Sequence, residues 1–488
     1  MTDRGIRMPS KAILSGLAFC VAVLSFGIGA ANAAESSLER WIDSQTERSL
    51  DRVYRAISPS DGAVGAVIAS PSREKPNYYY HWIRDAALVM REVWNYRDLD
   101  PKLARQTLKD YAIFSRKNQT TYNRSEKEYG RQIGEPKFEI DGSSFEDGWM
   151  RPQNDGPALR VLALLGLADD LMLGGDEEFV TKYLYRMELP AQTVIKADLE
   201  FIAAYWEESS ADLWEEIRGD HFYTRIAQWR ALEEGGTFAK RMGDDEAGDY
   251  YHAQADRVLD SLNKFWSSSK GYIGATRNMR DRDHDPKPSN LDTAIILGVL
   301  HSGKPGAPFY VDDDRVIATM HELELAFDYV YAVNRERKND EGAPMAPGLG
   351  RYPEDKYDGY HTDREGNPWF LSTHAAAQYL LLLRGELVRA GQLKITEISR
   401  EFFEDLVKKD FSHTRKLREG DPSFEAVLEA LQDRSDAYIR RSKYHTGEEG
   451  HQSEQFNRVH GHMQGARDLT WSYASFLSLK RIRDKHYE

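Results

Sequence analysis

Cysteine is almost missing from these 488 residues: there is one, Cys20, and it lies inside an N-terminal apolar run. No disulfide framework or thiolate metal site can be built from it, so packing alone must hold the fold, and some 450 residues can supply a core. Alternating apolar and polar runs, the mark of half-buried strands, are nearly absent. Basic residues are in deficit, with 65 Lys+Arg against 79 Asp+Glu. That balance disfavours nucleic acid and anionic membrane surfaces and is compatible with a neutral substrate. Past residue 30 there is no stop-transfer pattern and no low-complexity linker. Calcium-loop spacing is lacking too. Asp281, Asp283, His284 and Asp285 share one loop and Asp312, Asp313 and Asp314 another, and both read as solvated acids. His460 and His462 have no third partner. No metal and no cofactor are expected.

What is present begins with a leader. Arg4, Arg7 and Lys11 make a basic start, Ala12 to Ala30 is apolar and small, and Ala31-Asn32-Ala33 has the A-x-A form of a signal-peptidase site. Residues 1–33 are therefore expected to be a signal peptide, and the protein to be exported, periplasmic or secreted, with no membrane association after cleavage. A retained anchor is the alternative, since the run approaches the length of a membrane span. Cleavage removes three basic side chains and one acidic, making the balance more negative, and leaves 34–488 as a single domain.

Helix follows helix along that domain. Apolar residues recur at helical spacing over 36–57, 81–97 and 101–116, and a polar stretch over 117–135 reads as a long loop. Asp155 reads as a cap and Pro157 as the opening of an apolar helix reaching about residue 173. Further helical segments cover 176–206, 220–235, 237–268, 291–301, 312–334, 369–390, 394–409, 422–441 and 464–483, with Asn367-Pro368 a start signal. A dozen or so helices with aromatic-rich loops predict an all-α toroid of helical hairpins, its site made by the loops at one end.

Ten Trp and 26 Tyr supply side chains with both an apolar face and a polar edge. Carbohydrate sites use them, and so do ordinary cores. Asp212-Leu213-Trp214-Glu215-Glu216 sets carboxylates beside an indole, where burial can raise a carboxyl's pKa until it holds a proton near neutrality, as a general acid must. A surface acidic turn is the plainer reading. Tyr78-Tyr79-Tyr80-His81-Trp82-Ile83-Arg84-Asp85 runs aromatics into a pair that can donate to and accept from sugar hydroxyls, or else forms a core ridge with a helix-terminal ion pair. Trp149-Met150-Arg151 offers a platform and a cation. Gly350 to Tyr357 and Asn367-Pro368-Trp369-Phe370 make a third region, and Glu454 with Ala466 to Tyr473 a fourth. Taken singly, these are loops, caps and surface acids.

Together they resemble glycoside hydrolase family 15, the glucoamylases, from about Leu38 to Leu479. The resemblance rests on Trp-x-Arg-Asp at 82–85, Arg-Pro-Gln-x-Asp-Gly-Pro-Ala-Leu-Arg at 151–160 and Asp-Leu-Trp-Glu-Glu at 212–216. It rests equally on Arg-Tyr-Pro-Glu-Asp at 351–355, Asn-Pro-Trp-Phe-Leu at 367–371 and Ala-Arg-Asp-Leu-Thr-Trp-Ser-Tyr-Ala at 466–474. It implies an (α/α)6 barrel acting on an α-glucan or maltooligosaccharide; no starch-binding module is read alongside it, and a monomer is expected. Glu215 then matches the general acid and Glu454 the general base of an inverting, exo-acting hydrolase that releases β-glucose. Its two carboxyls are expected about 6.5–9.5 Å apart. Arg84 and Asp85 match the pair holding the terminal glucose, and Tyr78, Trp82, Trp149 and Trp471 its aromatic walls. Leu213, Trp214, Glu216 and Arg351 match contacts around the scissile bond, Asp212 and Asp355 supporting acids, and Tyr357 and Trp369 the rim. Arg151 and Glu354 are counted with the substrate-binding positions. Departures from the family pattern are Met150 where Gly is common, His81 for a usual Thr, extra polar residues over Tyr360 to Glu365, and a charged, His-rich 439–453. Another α-glucoside (α-1,6-dextran or trehalose) and a non-catalytic glucan-binding protein are the alternatives.

Overall fold

The computed structural model describes residues 37–280 and 287–485. The expected leader, with Cys20, and the acidic stretch Asp281, Asp283, His284 and Asp285 lie outside the described residues. The chain divides at Ile42, and everything below concerns the unit from Asp43 onward. The helices of eight residues or more, in order, are α1 (Ser37–Ala56, which crosses the division), α2 (Ile83–Asn95), α3 (Pro101–Thr120), α4 (Asp155–Leu173), α5 (Val194–Tyr205), α6 (Phe222–Arg241) and α7 (Asp245–Leu262). After these come α8 (Ala294–Ser302), α9 (Asp314–Val330), α10 (Phe370–Ala390), α11 (Arg400–Val407), α12 (Pro422–His445) and α13 (Thr470–Lys485).

Six of them close a ring: α2 packs on α4, α4 on α6, α6 on α8, α8 on α10, α10 on α13, and α13 back on α2. The alternate helices flank the ring, α3 against α2 and α4, α5 against α4 and α6, α7 against α6, α9 against α8 and α12 against α10. This is the expected (α/α)6 barrel. Composition explains the two layers. Ring helices such as α4 and α8 are apolar nearly all round because they are covered on every side. In α7 the buried side chains, Tyr251, Ala255, Val258 and Leu262, recur every three or four residues, as one covered face requires. No helix among the described residues is long and apolar enough to cross a membrane.

Several expected boundaries differ: the segments over 237–268, 394–409 and 464–483 become Asp245–Leu262, Arg400–Val407 and Thr470–Lys485, and three others differ for reasons the structure shows. The single segment over 176–206 is broken, with short turns over Glu177–Leu184 and α5 starting only at Val194. Pro190 supplies no N–H and bars Leu189 from helical backbone. The helix expected to end at 235 runs on to Arg241 through Gly235-Gly236. Those glycines mark close helix approach rather than a turn: a Cβ on Gly235 would sit 2.4 Å from Leu199 Cδ2, and one on Gly236 would sit 2.5 Å from His252 Cδ2. The stretch over 117–135 is only partly a loop, since α3 continues to Thr120 and Arg124–Tyr129 forms a short helix capped by Asn123.

Five of the six ring helices, α8 excepted, share one further property. Each segment singled out in the sequence lies immediately before, or at the start of, a ring helix: 78–85 at α2, 149–155 at α4, 212–216 ahead of α6, 351–369 ahead of α10, and 454 and 471 at α13. Short antiparallel ribbons brace these loops, pairing His81–Trp82 with Lys137–Phe138, Ser210–Ala211 with Arg218–Gly219, and Gln455–Phe456 with Met463–Gln464.

Candidate active site

The loops enclose a cavity of about 550 Å³. Tyr78, Trp82, Arg84, Asp85, Trp149, Leu213, Trp214, Glu215, Glu216, Arg351, Tyr357, Trp369, Glu454 and Trp471 line it. Arg151, Asp212, Glu354 and Asp355 do not, and each is engaged behind the wall. Arg151 is buried, donates to Glu135 at 3.0 Å and to the carbonyls of Phe145 and Asp147, and so holds the loop that carries Trp149. Glu354 accepts from the backbone N–H and hydroxyl of Ser289 at 3.1 and 3.0 Å, tethering the approach to α8 rather than facing substrate. Asp155 is likewise no N-cap. It is the first residue of α4, and its carboxylate accepts from Arg84 at 3.1 Å.

Glu215 sits at the apex of the tight turn joining two short strands, with its backbone in the left-handed region at φ 66°. A non-glycine residue there is strained and must be held. Asp212 holds it. One of its oxygens accepts the N–H groups of Glu216 and Ile217 at 2.7 and 3.0 Å, and the other accepts from Lys287 at 2.8 Å. Burial works against the Asp212 charge, but the Lys287 ammonium keeps its carboxyl well below the usual range. Lys287 also donates to Asp292, which accepts from the Trp214 indole, so one buried cation anchors both the turn and its aromatic wall. The Glu215 side chain reaches the cavity with Oε1 accepting from Trp82 Nε1 at 2.8 Å and Gln153 Nε2 at 2.9 Å, while Arg84 stands 3.5 Å away.

Arg84 is the hub of this end. Burial opposes its charge, yet the carboxylates of Asp155, Asp85 and Glu215 hold the guanidinium above its ordinary value. Asp85, 3.6 Å from it, is pushed up to about 6 by burial, against the pull of Arg84.

Glu454 enters from the loop before α13, buried, its backbone N–H bonded to Ala466. Tyr78 donates to one carboxylate oxygen at 3.0 Å and Tyr357 to the other at 3.3 Å, and the two hydroxyls stand 2.9 Å apart. Burial pushes the carboxyl up to about 8, against those hydroxyls and the Arg351 charge. The two glutamates share no hydrogen bond. Tyr78, on Glu454, and Trp82, on Glu215, meet edge to face with centroids 5.4 Å apart, so a chain of contacts links the two.

A second Arg–carboxylate cluster forms the remaining wall. Arg351 donates to Asp355 through Nε at 2.8 Å and to Glu216 at 2.7 Å, and Tyr352 donates to the other Glu216 oxygen at 2.7 Å. Burial raises the Glu216 carboxyl, and Arg351 and Lys287 oppose it. Sequence reasoning missed Lys287 and Gln153. The only signal for Lys287 was a lysine set between two prolines in an acidic loop, and Gln153 lay unremarked inside a quoted motif. Ala69, Met150, Thr362 and Leu469 complete the lining. Asp313, from the second acidic run, caps α9 by accepting the Arg315 N–H at 3.0 Å. Among the described residues no three His, Cys, Asp or Glu side chains are grouped to hold a metal.

A helical toroid whose aromatic-walled cavity holds Glu215 and Glu454, each fed by hydroxyl, indole or amide donors, is the arrangement of the glycoside hydrolase class. Comparison with known proteins gives the family. Residues 47–481 match glycosyl hydrolases family 15, and the chain belongs to that family. It is 37% identical over 446 residues to the glucoamylase of Blastobotrys adeninivorans, covering 91% of this chain and 71% of that protein. It is 32% identical over 482 residues to the intracellular sporulation-specific glucoamylase of Saccharomyces cerevisiae, covering 92% and 85%. The structure of the Saccharomycopsis fibuligera glucoamylase superposes with a TM-score of 0.83 at 29% identity, covering 94% of this chain and 99% of that one. The chain is a glycoside hydrolase of the glucoamylase type.

Proposed function

We propose that this hydrolase is exo-acting and inverting, releasing β-D-glucose from the non-reducing ends of α-1,4-glucans and maltooligosaccharides. The observation that carries the reading is the placement of Glu215 and Glu454 on one cavity, each holding one of the contacting Tyr78–Trp82 pair. Glu215 gives its proton to the glycosidic oxygen as the bond to the anomeric carbon breaks. A water on the opposite face of the sugar forms the new bond, and Glu454 takes that water's proton. Attack opposite the leaving group turns an α-linkage into β-glucose. A general base works best when its pKa lies near the operating pH, so the burial that raises Glu454 makes it a stronger acceptor than an ordinary carboxylate. Arg84 and Asp85 grip the outer hydroxyls of the terminal glucose, and Glu216 with Arg351 meets the sugar beyond the scissile bond. The relatives' names support the glucan substrate, and the basic start, apolar run and Ala31-Asn32-Ala33 support export.

Exo action requires a free chain end in the Arg84–Asp85 pocket. A maltooligosaccharide capped by a bulky acetal at its non-reducing end should be inert while the uncapped chain is consumed to glucose, and internal cleavage of the capped chain would refute exo action.

The hydroxyls on Glu454 make a second prediction. They favour its carboxylate, so removing one raises its pKa, and activity that needs the carboxylate is then lost at a higher pH as the medium is acidified. A hydrogen bond to a charged group is worth about 1.5–3 kcal/mol, which is about one to two pH units. Tyr78→Phe should therefore move the acidic limb of the kcat/KM profile upward by about one unit, and an unmoved limb would detach Tyr78 from the base.

A further inference from the structure

Behind the Trp82–Trp149 wall lies a lysine that no step above uses. Lys137 is 2% exposed and is the cross-strand partner of Trp82 in the ribbon ahead of α2. Its ammonium is enclosed by four rings, with Nζ 3.7 Å from the Trp149 centroid, 3.9 Å from Phe145, 4.1 Å from Tyr80 and 4.4 Å from Trp82. The rings also touch one another edge to face: Tyr80 on Trp82 and Phe145, and Trp149 on Trp82 and Phe145. An aromatic face attracts a cation, and more strongly where water is excluded. One ammonium thus contacts all four rings. Two of them are working surfaces: Trp149 lines the cavity, and Trp82 lines it while donating its indole N–H to Glu215.

We propose that Lys137 is a positioning residue for Glu215, fixing the Trp82 indole that orients the Glu215 carboxyl and placing a desolvated positive charge behind it. The inference rests on the reading of Glu215 as the general acid. An apolar side chain of the same length would fill the space equally well, so packing alone does not account for a charge here. Burial pushes the ammonium down to about 8, against the attraction of Glu215, Glu139 and Asp147 and with the repulsion of Arg151, which are the charged groups facing it. The cage therefore stays charged below that range. A nearby cation favours release, so without it the acid keeps its proton to higher pH.

The test is Lys137→Met, nearly isosteric and uncharged, with Lys137→Arg beside it, each assayed on maltotriose across pH. Lys137→Met is expected to lower kcat about tenfold, as misplacement of a reacting group does, with KM changed less than about threefold. Its basic limb should move up by about half a unit. Lys137→Arg keeps a charge but brings a larger, planar head, so it should lower kcat several-fold with the basic limb in place. Parent-like kcat and basic limb in Lys137→Met would show that the lysine only packs, and would overturn the proposal. Should Lys137→Met not fold, the neutral Lys137→Gln takes its place, and a parent-like kcat and basic limb there overturn it. Glu215→Gln assayed in parallel separates the two readings, because full activity in that variant removes the acid assignment itself and not merely the role of Lys137.

Discussion

Replacing Glu454 by Gln is expected to lower turnover of maltooligosaccharides by about 10³-fold or more, with maltotriose still binding within about threefold of the parent. Gln keeps the shape of Glu, and its carbonyl oxygen can still accept from Tyr78 or Tyr357, so the cavity wall stays in place. What it cannot do is take a proton from water. Turnover should collapse in kcat, while titration calorimetry with maltotriose reads an affinity near that of the parent. Parent-like turnover would end the assignment of Glu454 as base. Loss of both binding and turnover would make Glu454 a wall residue first, and would shift attention to the Tyr78–Tyr357 hydroxyl pair that it anchors.

Glu215→Gln should cost a similar factor on maltooligosaccharides, but for a different reason that can be told apart. A sugar alkoxide is a poor leaving group and needs a proton as it departs, whereas fluoride does not. With α-glucosyl fluoride the Glu215→Gln variant should keep most of its rate, while Glu454→Gln loses activity on both substrates, since water must be activated in either case. Trp82 and Gln153 both donate to Oε1 of Glu215, and a Gln there can still accept both through its carbonyl oxygen, so the turn need not collapse. Equal losses on both substrates would remove Glu215 from the acid's role.

The helical architecture was legible because its signal is local. Apolar periodicity and end signals such as Asn367-Pro368 are written along the chain, and the all-round apolar runs of α4 and α8 mark helices covered on every side. One boundary failed at a local signal passed over, Pro190 within 176–206, and another where tertiary contact overrides local preference. Gly235-Gly236 reads as a break and is instead the place where Leu199 and His252 press on α6, a contact nothing near residue 235 announces.

The site divides in the same way. Residues grouped within one segment, such as Trp82-Arg84-Asp85 or Leu213 to Glu216, could be picked out by their chemistry. The partnership of Glu215 with Glu454 spans the whole ring, and no spacing rule links the two. Side-chain direction was illegible as well. Glu354 stands beside Asp355 in a promising run, yet it turns to Ser289, and Arg151 turns to Glu135, because each finds a buried partner away from the cavity. Lys287 and Lys137 were overlooked for a related reason. A lone lysine in a sequence reads as a solvated surface charge, and only the fold shows one bound between Asp212 and Asp292 and the other enclosed by four rings.

The central claim is that Glu215 and Glu454 act on opposite faces of one sugar in a single displacement. The anomeric configuration of the glucose first released tests it most directly. Proton NMR of maltotriose hydrolysis, recorded within the first minutes and before mutarotation, should show the β-anomer signal rising first, with α-glucose appearing only as the two equilibrate. If α-glucose appears first, the reaction retains configuration, and a single displacement by Glu454-activated water is wrong.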